Sequence, residues 1–258
     1  MSASRFPTRL ACSSLLFGNL LFSSLAEAAD CAPSVPDTAV PGALVIARVA
    51  PGCLVRFGGR DLRVDPDGIF VFGIGRDPGA FVEVQGSAPG ARAKRVRIAL
   101  QRRAWPVERV DGVPESTVNP APALAARIQA EQARVARARQ RDDPRQDFLG
   151  GFIRPLDGRI SGVYGSQRIL NGTPKDPHLG LDIAAASGTV FVAPAAGVIS
   201  FADPALYLTG GTVLLDHGHG LSSVFLHLSR IDVRVGQRVE QGQPLGAVGA
   251  TGRASGPH

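Results

Sequence analysis

Long apolar runs and dense charge are both missing from this chain of 258 residues. The one stretch that could be considered for a membrane span, Leu10 to Leu25, contains serine and asparagine and falls short of the roughly 20 apolar residues that a spanning helix needs. Only 19% of residues are charged, while there are 31 glycines and 20 prolines. This composition excludes a fibrous repeat, a wholly disordered chain and a long coiled coil. Because domains usually contain about 100 to 200 residues, a loop-rich protein of two modules is expected.

Acidic residues are outnumbered, 22 against 28 basic residues, which gives a formal charge of +6 and a pI near 10.0. Such a balance suggests a polyanionic partner or surface, whether nucleic acid, anionic lipid or acidic wall polymer. Charge alone does not choose among them.

The N-terminus has the pattern of a secretory signal peptide over residues 1–28. Arg5 and Arg9 precede the apolar stretch, and Ala26-Glu27-Ala28 forms a small-x-small cleavage site. A transmembrane helix is the alternative. Cleavage near Ala28 predicts a periplasmic or secreted protein without a stable membrane span, and no lipid anchor is expected because the nearest cysteine follows an aspartate.

Cysteine is rare as well, with three residues in the whole chain. Loss of the signal peptide removes Cys12 and leaves Cys31 and Cys53 in an oxidising compartment. This pair predicts a disulfide, with two buried free thiols as the alternative.

Residues 29–104 are expected to form a small β accessory domain, a sandwich or barrel of antiparallel strands. Short β-like runs alternate with turn signals at a spacing of about ten residues. The runs are 44–49, 54–57, 69–72, 81–85 and 94–100. Because this region has no catalytic constellation, a positioning role is predicted.

Residues 105–150 have the composition of a linker with one helix, from Ala123 to Arg141. Alanine, arginine, glutamine and glutamate favour helix, and the thin apolar stripe predicts weak packing as a linker or brace. An arginine run on this helix could contact nucleic acid, but an exported protein favours a solvated helix face, and no nucleic-acid partner is expected.

Histidine is absent before residue 178, and all five histidines lie in the last module, residues 151–258. Further short β runs are predicted there at 158–164, 189–193, 197–201, 211–216, 222–228 and 245–248. His178 and Asp182 offer nitrogen and oxygen donors that zinc accepts. On a straight strand they would stand about 13 Å apart, so Gly180 would have to supply a bend. Their spacing alone fits a surface histidine and a turn aspartate better than a pair of metal ligands.

Several later motifs occur in a fixed order with this pair. These are Ser-Gly-Val-Tyr-Gly-Ser-Gln-Arg at 161–168, Val-Ala-Pro-Ala-Ala-Gly-Val-Ile at 192–199, Val-Phe-Leu-His-Leu-Ser at 224–229, Gly-Gln-Arg-Val-Glu-Gln-Gly-Gln-Pro-Leu-Gly at 236–246 and Ser-Gly-Pro-His at the end. The ordered set over residues 151–258 resembles the lysostaphin-type, or LytM-type, zinc peptidoglycan endopeptidases. No motif before Trp105 contributes to the resemblance.

The resemblance implies a zinc cofactor, a set of residue roles and, for residues 151–258, a C-terminal antiparallel β metallopeptidase domain. With the sandwich-like N-terminal domain and the helical linker predicted above, the whole fold would be mostly β. His178 and Asp182 match zinc ligands, whereas His227 and His258 match catalytic histidines. The family's third ligand would fall two positions beyond His258, so the sequence is expected to be a C-terminally truncated piece, with replacement of that ligand by a residue elsewhere in the chain as the alternative.

Other polar residues have weaker assignments. Arg168 and Asn171 are candidate substrate contacts, with a loop-fixing role as the alternative. His217 and His219, in a glycine-containing hairpin, are not expected to be ligands.

By resemblance, the substrate would be peptidoglycan, cleaved at its peptide cross-links. Two alternatives belong to other classes: a non-catalytic relative that binds the wall or activates another hydrolase, and an exported basic adhesion module. The ordered histidines argue against the adhesion module. The sequence does not indicate an oligomeric state or which bond is cut.

Overall fold

The computed structural model describes residues 30–112 and 121–258. The predicted signal peptide at residues 1–28 lies outside the described residues. The described part of the chain is mostly β with a single helix, which confirms the predicted fold class. None of its helices is long and apolar enough to cross a membrane.

The first module consists of seven strands in two sheets, a five-stranded sheet of order β1-β7-β6-β3-β4 and the pair β2-β5. Their bounds are β1 Thr38–Ala39, β2 Leu44–Arg48, β3 Leu54–Phe57, β4 Arg60–Leu62, β5 Ile69–Gly73, β6 Phe81–Ser87 and β7 Lys94–Leu100. Alternate residues of β2 are buried and pack on Phe70 and Phe72 of β5 and on Val84 of β6. The predicted strands all occur, in a sandwich whose pairing is antiparallel except for β1 with β7.

The predicted disulfide is formed inside this core. Cys31 and Cys53 are bonded with a Cα–Cα distance of 5.7 Å, and both residues are buried in the same apolar cluster.

The predicted linker contains the one helix that was expected. It also contains one strand that the sequence did not suggest. Helix α1 spans Pro122–Ala138, begins with proline in its first turn and has no fully buried residue. Val135 and Ala138 pack on Phe201 and Leu206 of the second module, which supports the predicted role as a brace. Strand β8, Val107–Val110, pairs in parallel with a strand of the second module.

The second module is built on an antiparallel sheet of order β16-β15-β14-β18, with three smaller sheets β13-β19-β17, β12-β9 and β11-β10-β8. Its strands are β9 Arg159–Gly162, β10 Gln167–Leu170, β11 Thr173–Pro174, β12 Asp182–Ala184, β13 Val190–Val192, β14 Gly197–Leu206, β15 Gly210–Gly218, β16 Leu221–Leu228, β17 Arg230–Ile231, β18 Arg238–Val239 and β19 Pro244–Ala247. Every residue of β15 is buried. This buried central strand pairs along its length with β16, the strand that carries His227.

Phe148 joins the two modules from the end of the linker. Its side chain is fully buried against Ile69 and Val71 of β5 and against Leu221 of β16. Next to it, Arg145 forms ion pairs with Asp147 and with the buried Asp216. A large apolar side chain and a paired charge network therefore fix this contact.

Candidate metal and catalytic site

The two donors predicted for a metal lie side by side. Nε2 of His178 is 3.0 Å from Oδ1 of Asp182, and both side chains are largely buried. The chain bends at Gly180 before β12 begins at Asp182. The bend shortens the separation of about 13 Å expected for a straight strand, as the sequence required of Gly180.

The backbone around residues 163–166 holds His178 in place. The amide of His178 donates to the carbonyl of Ser166 at 2.8 Å, and the amide of Gly165 donates to the carbonyl of His178 at 2.7 Å. The ring Nδ1 of His178 lies 3.3 Å from the carbonyl of Val163. A carbonyl can only accept, so this contact favours a proton on Nδ1 and leaves Nε2 to face Asp182.

Asp182 presents its two oxygens to different partners. Oδ1 faces His178, while Oδ2 lies 3.7 Å from a guanidinium nitrogen of Arg168. Nε of Arg168 is also 3.4 Å from Oε2 of Glu108, which belongs to β8. The candidate substrate contact Arg168 is thus drawn toward the site by one carboxylate and toward the linker by another.

Charge and burial both act on the pKa values of this pair. The hydrogen bond with Asp182 raises the pKa of His178, and it outweighs burial. Burial opposes ionisation of Asp182, but the hydrogen bond from His178 and the charges of His178, His258 and Arg168 prevail, so the pKa of Asp182 is lowered. Asp182 is therefore an anion at neutral pH, the form that binds a cation.

His227 occupies strand β16, as predicted, but at a β-bulge. Leu226 and His227 together lie opposite the single residue Thr212, and His227 has a φ of 60°. Left-handed backbone is uncommon for a residue other than glycine, and bulges often re-aim a side chain next to an active site. No pattern in the sequence indicates this irregularity.

Thr251 orients the ring of His227. Nδ1 of His227 donates to the carbonyl of Thr251 at 2.8 Å, while the Thr251 hydroxyl donates to the carbonyl of Leu228 and accepts from the amide of Gly211. Burial lowers the pKa of His227. Its neutral form therefore presents an unprotonated Nε2. Thr251 was not predicted from the sequence, where its only signal is its position in a glycine-rich run just before His258.

His258 lies against His227, with the ring centroids 4.8 Å apart. Nδ1 of His258 is 2.8 Å from the carbonyl of Gly256, so Nε2 is again the free nitrogen. His258 lowers the pKa of Asp182 electrostatically, and the charge of Asp182 acts in turn on His227. The two metal-donor candidates and the two catalytic candidates therefore share one site.

The donor pair has the chemistry of a partial zinc site. Two atoms bound at about 2.0 to 2.1 Å by a tetrahedral ion lie about 3.3 Å apart, close to the observed 3.0 Å. Gly162 leaves room for Asp182, because a Cβ there would lie 2.3 Å from Oδ2. Within residues 30–112 and 121–258, no three histidine, cysteine or acidic side chains gather into a metal-binding group. The described residues thus supply two zinc-type donors.

The other polar residues singled out in the sequence have structural explanations. Asn171 and Gly172 have φ values of 46° and 75° in the turn between β10 and β11, a geometry for which Asn-Gly is favoured. His217 is fully buried between the carbonyl of Ala196 and the hydroxyl of Ser223. His219 is buried edge-on against Phe148. Neither histidine contacts the His178–Asp182 pair.

Comparison with known proteins matches residues 176–258 to peptidase family M23. Peptidoglycan DD-endopeptidase ShyA of Vibrio cholerae is 37% identical over 107 residues, which are 40% of this chain and 25% of ShyA. An uncharacterized metalloprotease of Haemophilus influenzae is 38% identical over 115 residues, 42% of this chain and 24% of its own length. The chain thus spans about a quarter of the length of these curated relatives.

A more extensive likeness comes from a crystal structure of a candidate M23 peptidase from Pseudomonas aeruginosa. The sequences are 32% identical, the TM-score is 0.63, and the alignment covers 85% of this chain and 86% of that one. The likeness therefore includes residues well outside 176–258. With the ordered motifs, the shared fold and this coverage, the chain belongs to peptidase family M23.

Proposed function

We propose that this protein is a zinc-dependent endopeptidase that hydrolyses the peptide cross-links of peptidoglycan in the cell envelope. The observation that carries the proposal is the contact between His178 and Asp182, with the ring pair His227 and His258 within electrostatic range of Asp182. His178 and Asp182 would supply two of the three protein ligands usual at a catalytic zinc, and the two imidazoles would supply acid-base groups for metal-assisted amide hydrolysis.

The chain's own groups have distinct tasks in this reaction. Bound zinc would supply Lewis acidity, which polarises a carbonyl and acidifies water. His227, neutral and with Nε2 free, accepts the proton of the attacking water as the new carbon–oxygen bond forms. The proton passes to the leaving nitrogen as the amide bond breaks, which gives a carboxylic acid and an amine, and the acid then loses its remaining proton to the amine to give a carboxylate and an ammonium group. His258, whose ring lies against that of His227, shares this proton transfer through its free Nε2, and it can donate to the developing oxyanion once that nitrogen has taken up a proton.

Substrate and location follow from the relatives and from charge. ShyA and ShyC of Vibrio cholerae are both named peptidoglycan DD-endopeptidases. A net charge of +6 favours retention on an anionic envelope. Export by the predicted signal peptide would place the enzyme in the periplasm or outside the cell.

The test separates ligands from acid-base groups in the full-length protein, using zinc content and release of soluble fragments from peptidoglycan. His178→Ala and Asp182→Ala should lose both zinc and activity. His227→Ala should keep its zinc and lose about 100- to 10,000-fold in turnover, the range for acid-base help. Asp61→Ala, which removes a carboxylate that is 91% exposed in the first module, is the matched control and should change neither.

Each arm can fail separately. An Asp182→Ala variant with unchanged zinc would remove Asp182 from the ligand set. A His227→Ala variant that loses its zinc would make His227 a ligand rather than a proton acceptor.

A non-catalytic relative that binds peptidoglycan or activates another hydrolase is the second candidate. The observation in its favour is that the described residues gather two donors rather than three. A protein that binds peptidoglycan but neither retains zinc nor releases fragments would support this alternative.

A further inference from the structure

The single tryptophan of the chain lies where the first module, the linker and the second module meet. Trp105 is flanked by two arginines, with the guanidinium carbons of Arg103 and Arg76 at 4.5 and 5.2 Å from its ring centroid. Its ring meets that of Tyr164 edge-on at 5.9 Å. We call Arg76, Arg103, Trp105 and Tyr164 the Trp105 clamp.

The first module contacts this clamp and the neighbouring segment of the second module. A guanidinium nitrogen of Arg103 donates to the carbonyl of Pro41 at 2.9 Å, and Nε of Arg76 donates to the carbonyl of Gly165 at 2.8 Å. Gly42 lies so near that a Cβ on it would be 2.7 Å from the Tyr164 ring. The first module thus touches the segment around Gly165 directly and through the clamp.

That segment also carries the backbone partners of His178. A Cβ on Gly165 would lie 2.0 Å from the Trp105 ring, so glycine is required there for close packing. The same Gly165 donates its amide to His178, and the neighbouring Ser166 accepts the His178 amide. The segment around Gly165 therefore packs against the Trp105 clamp. Its backbone also forms hydrogen bonds with His178, a candidate zinc ligand.

The linker fastens the continuation of this segment as well. The amide of Gln167 donates to the carbonyl of Pro106 at 2.8 Å, and β8 then pairs with β10. Residues 163–170 consequently have little freedom to shift while the first module and linker are docked.

We propose that the Trp105 clamp is a positioning device for His178, so that docking of the first module and zinc binding are energetically coupled. The inference rests on the proposed function, because it takes His178 to be a zinc ligand. Trp105 and Tyr164 do not touch the metal or the substrate in this scheme. They hold the backbone that aims the imidazole, the part that outer-shell partners play at metal sites.

Coupling of this kind is reciprocal. If docking of the first module raises the affinity for zinc, bound zinc must raise the equilibrium constant for docking by the same factor. Because Trp105 is the only tryptophan among these 258 residues, their tryptophan fluorescence reports the state of the clamp.

The experiment compares two glycine variants of the full-length protein. Gly42→Ala places a methyl group against Tyr164, whereas Gly79→Ala, also in the first module, places it in open space. Both glycines have positive φ values, 89° and 87°, so the backbone strain of the substitution is matched. Zinc affinity is measured by competition with a chelating dye, Trp105 fluorescence is followed during the same titration, and thermal unfolding checks that both variants fold.

Gly42→Ala is expected to weaken zinc binding about 10-fold, the lower end of the effect of an outer-shell partner, and to diminish the zinc-dependent change in fluorescence. Gly79→Ala should stay within about twofold of the parent. Equal zinc affinities for the two folded variants would overturn the inference and leave the proposed function standing. A parent protein that binds zinc no better than His178→Ala would refute the proposed function itself.

A second pair of variants covers the case in which Gly42→Ala does not fold. Trp105→Phe keeps an aromatic face for the arginines, whereas Trp105→Ala removes it. Zinc affinity should fall in Trp105→Ala and be restored in large part by Trp105→Phe. If Trp105→Ala binds zinc as tightly as the parent, the clamp does not position His178.

Discussion

Replacing Gly162 by alanine should disable the site while leaving the fold intact. The backbone of Gly162 is not in the left-handed region, so alanine meets no conformational penalty there, but its Cβ would lie 2.3 Å from Oδ2 of Asp182. An ordinary contact needs about 3.4 Å, so the carboxylate must move by roughly 1 Å. Oδ1 moves with it and leaves its position 3.0 Å from Nε2 of His178.

The size of the effect follows from that displacement. A misplacement of 1 Å in a reacting constellation can cost about 100-fold in rate. We therefore expect Gly162→Ala to reduce fragment release from peptidoglycan by about 100-fold, with lower zinc occupancy. Gly73→Ala is the matched control, because Gly73 also ends a strand, has no positive φ and would meet nothing within 4 Å.

The assay combines fragment release, zinc content and thermal unfolding for the parent and both variants. The unfolding midpoints of the two variants should agree within a few degrees, since neither buries a new polar group. Full activity and full zinc occupancy in Gly162→Ala would refute the assignment of Asp182 as a ligand held in a fixed position.

Three further outcomes concern stability. Phe148→Ala should cost about 3 to 5 kcal/mol of unfolding free energy, as for other buried phenylalanines, and urea unfolding should then show the two modules separating. Burial lowers the pKa of His217 in the folded protein, so on acidification the unfolded chain binds a proton more readily than the folded chain does. The contribution of this group to folding stability is therefore full above about pH 6.5 and declines as the pH falls below that value. Urea midpoints between pH 7.5 and 5 should fall less steeply in His217→Gln than in the parent. Reduction of the disulfide between Cys31 and Cys53, which closes a loop of sequence separation 22, should cost about 3 kcal/mol, measured by denaturant unfolding with and without reductant; equal midpoints would contradict this.

Local sequence patterns were sufficient to predict most strands and the helix, and to identify the main candidate site residues. Alternation and turn residues located the strands of the first module, and composition located α1 to within a few residues at its end. Ordered motifs singled out His178, Asp182, His227 and His258, whose side chains the structure brings into one site. These signals succeed because each depends on neighbours in the sequence or on a motif of fixed order.

Features that depend on distant residues could not be predicted in this way. Strand β8 is short and lies in a region of linker composition; its partner β10 is some 60 residues further on. The bulge at His227 arises from a mismatch between two strands, and the contact of Thr251 with His227 spans 24 positions. No local pattern encodes such pairings, since they are set by packing of the complete chain.

The pairing of β8 with β10 bears on how this protein could be recombined with others. A gene fusion that joined a new partner at residue 151 would inherit every motif of the peptidase family but not Val107–Val110, and β10 would be left with unsatisfied backbone groups beside Arg168. We therefore expect the structural unit that contains the candidate site to begin upstream of these motifs, no later than Trp105. Exchange of the first module for another accessory domain should be tolerated only where β8 stays joined to the peptidase domain.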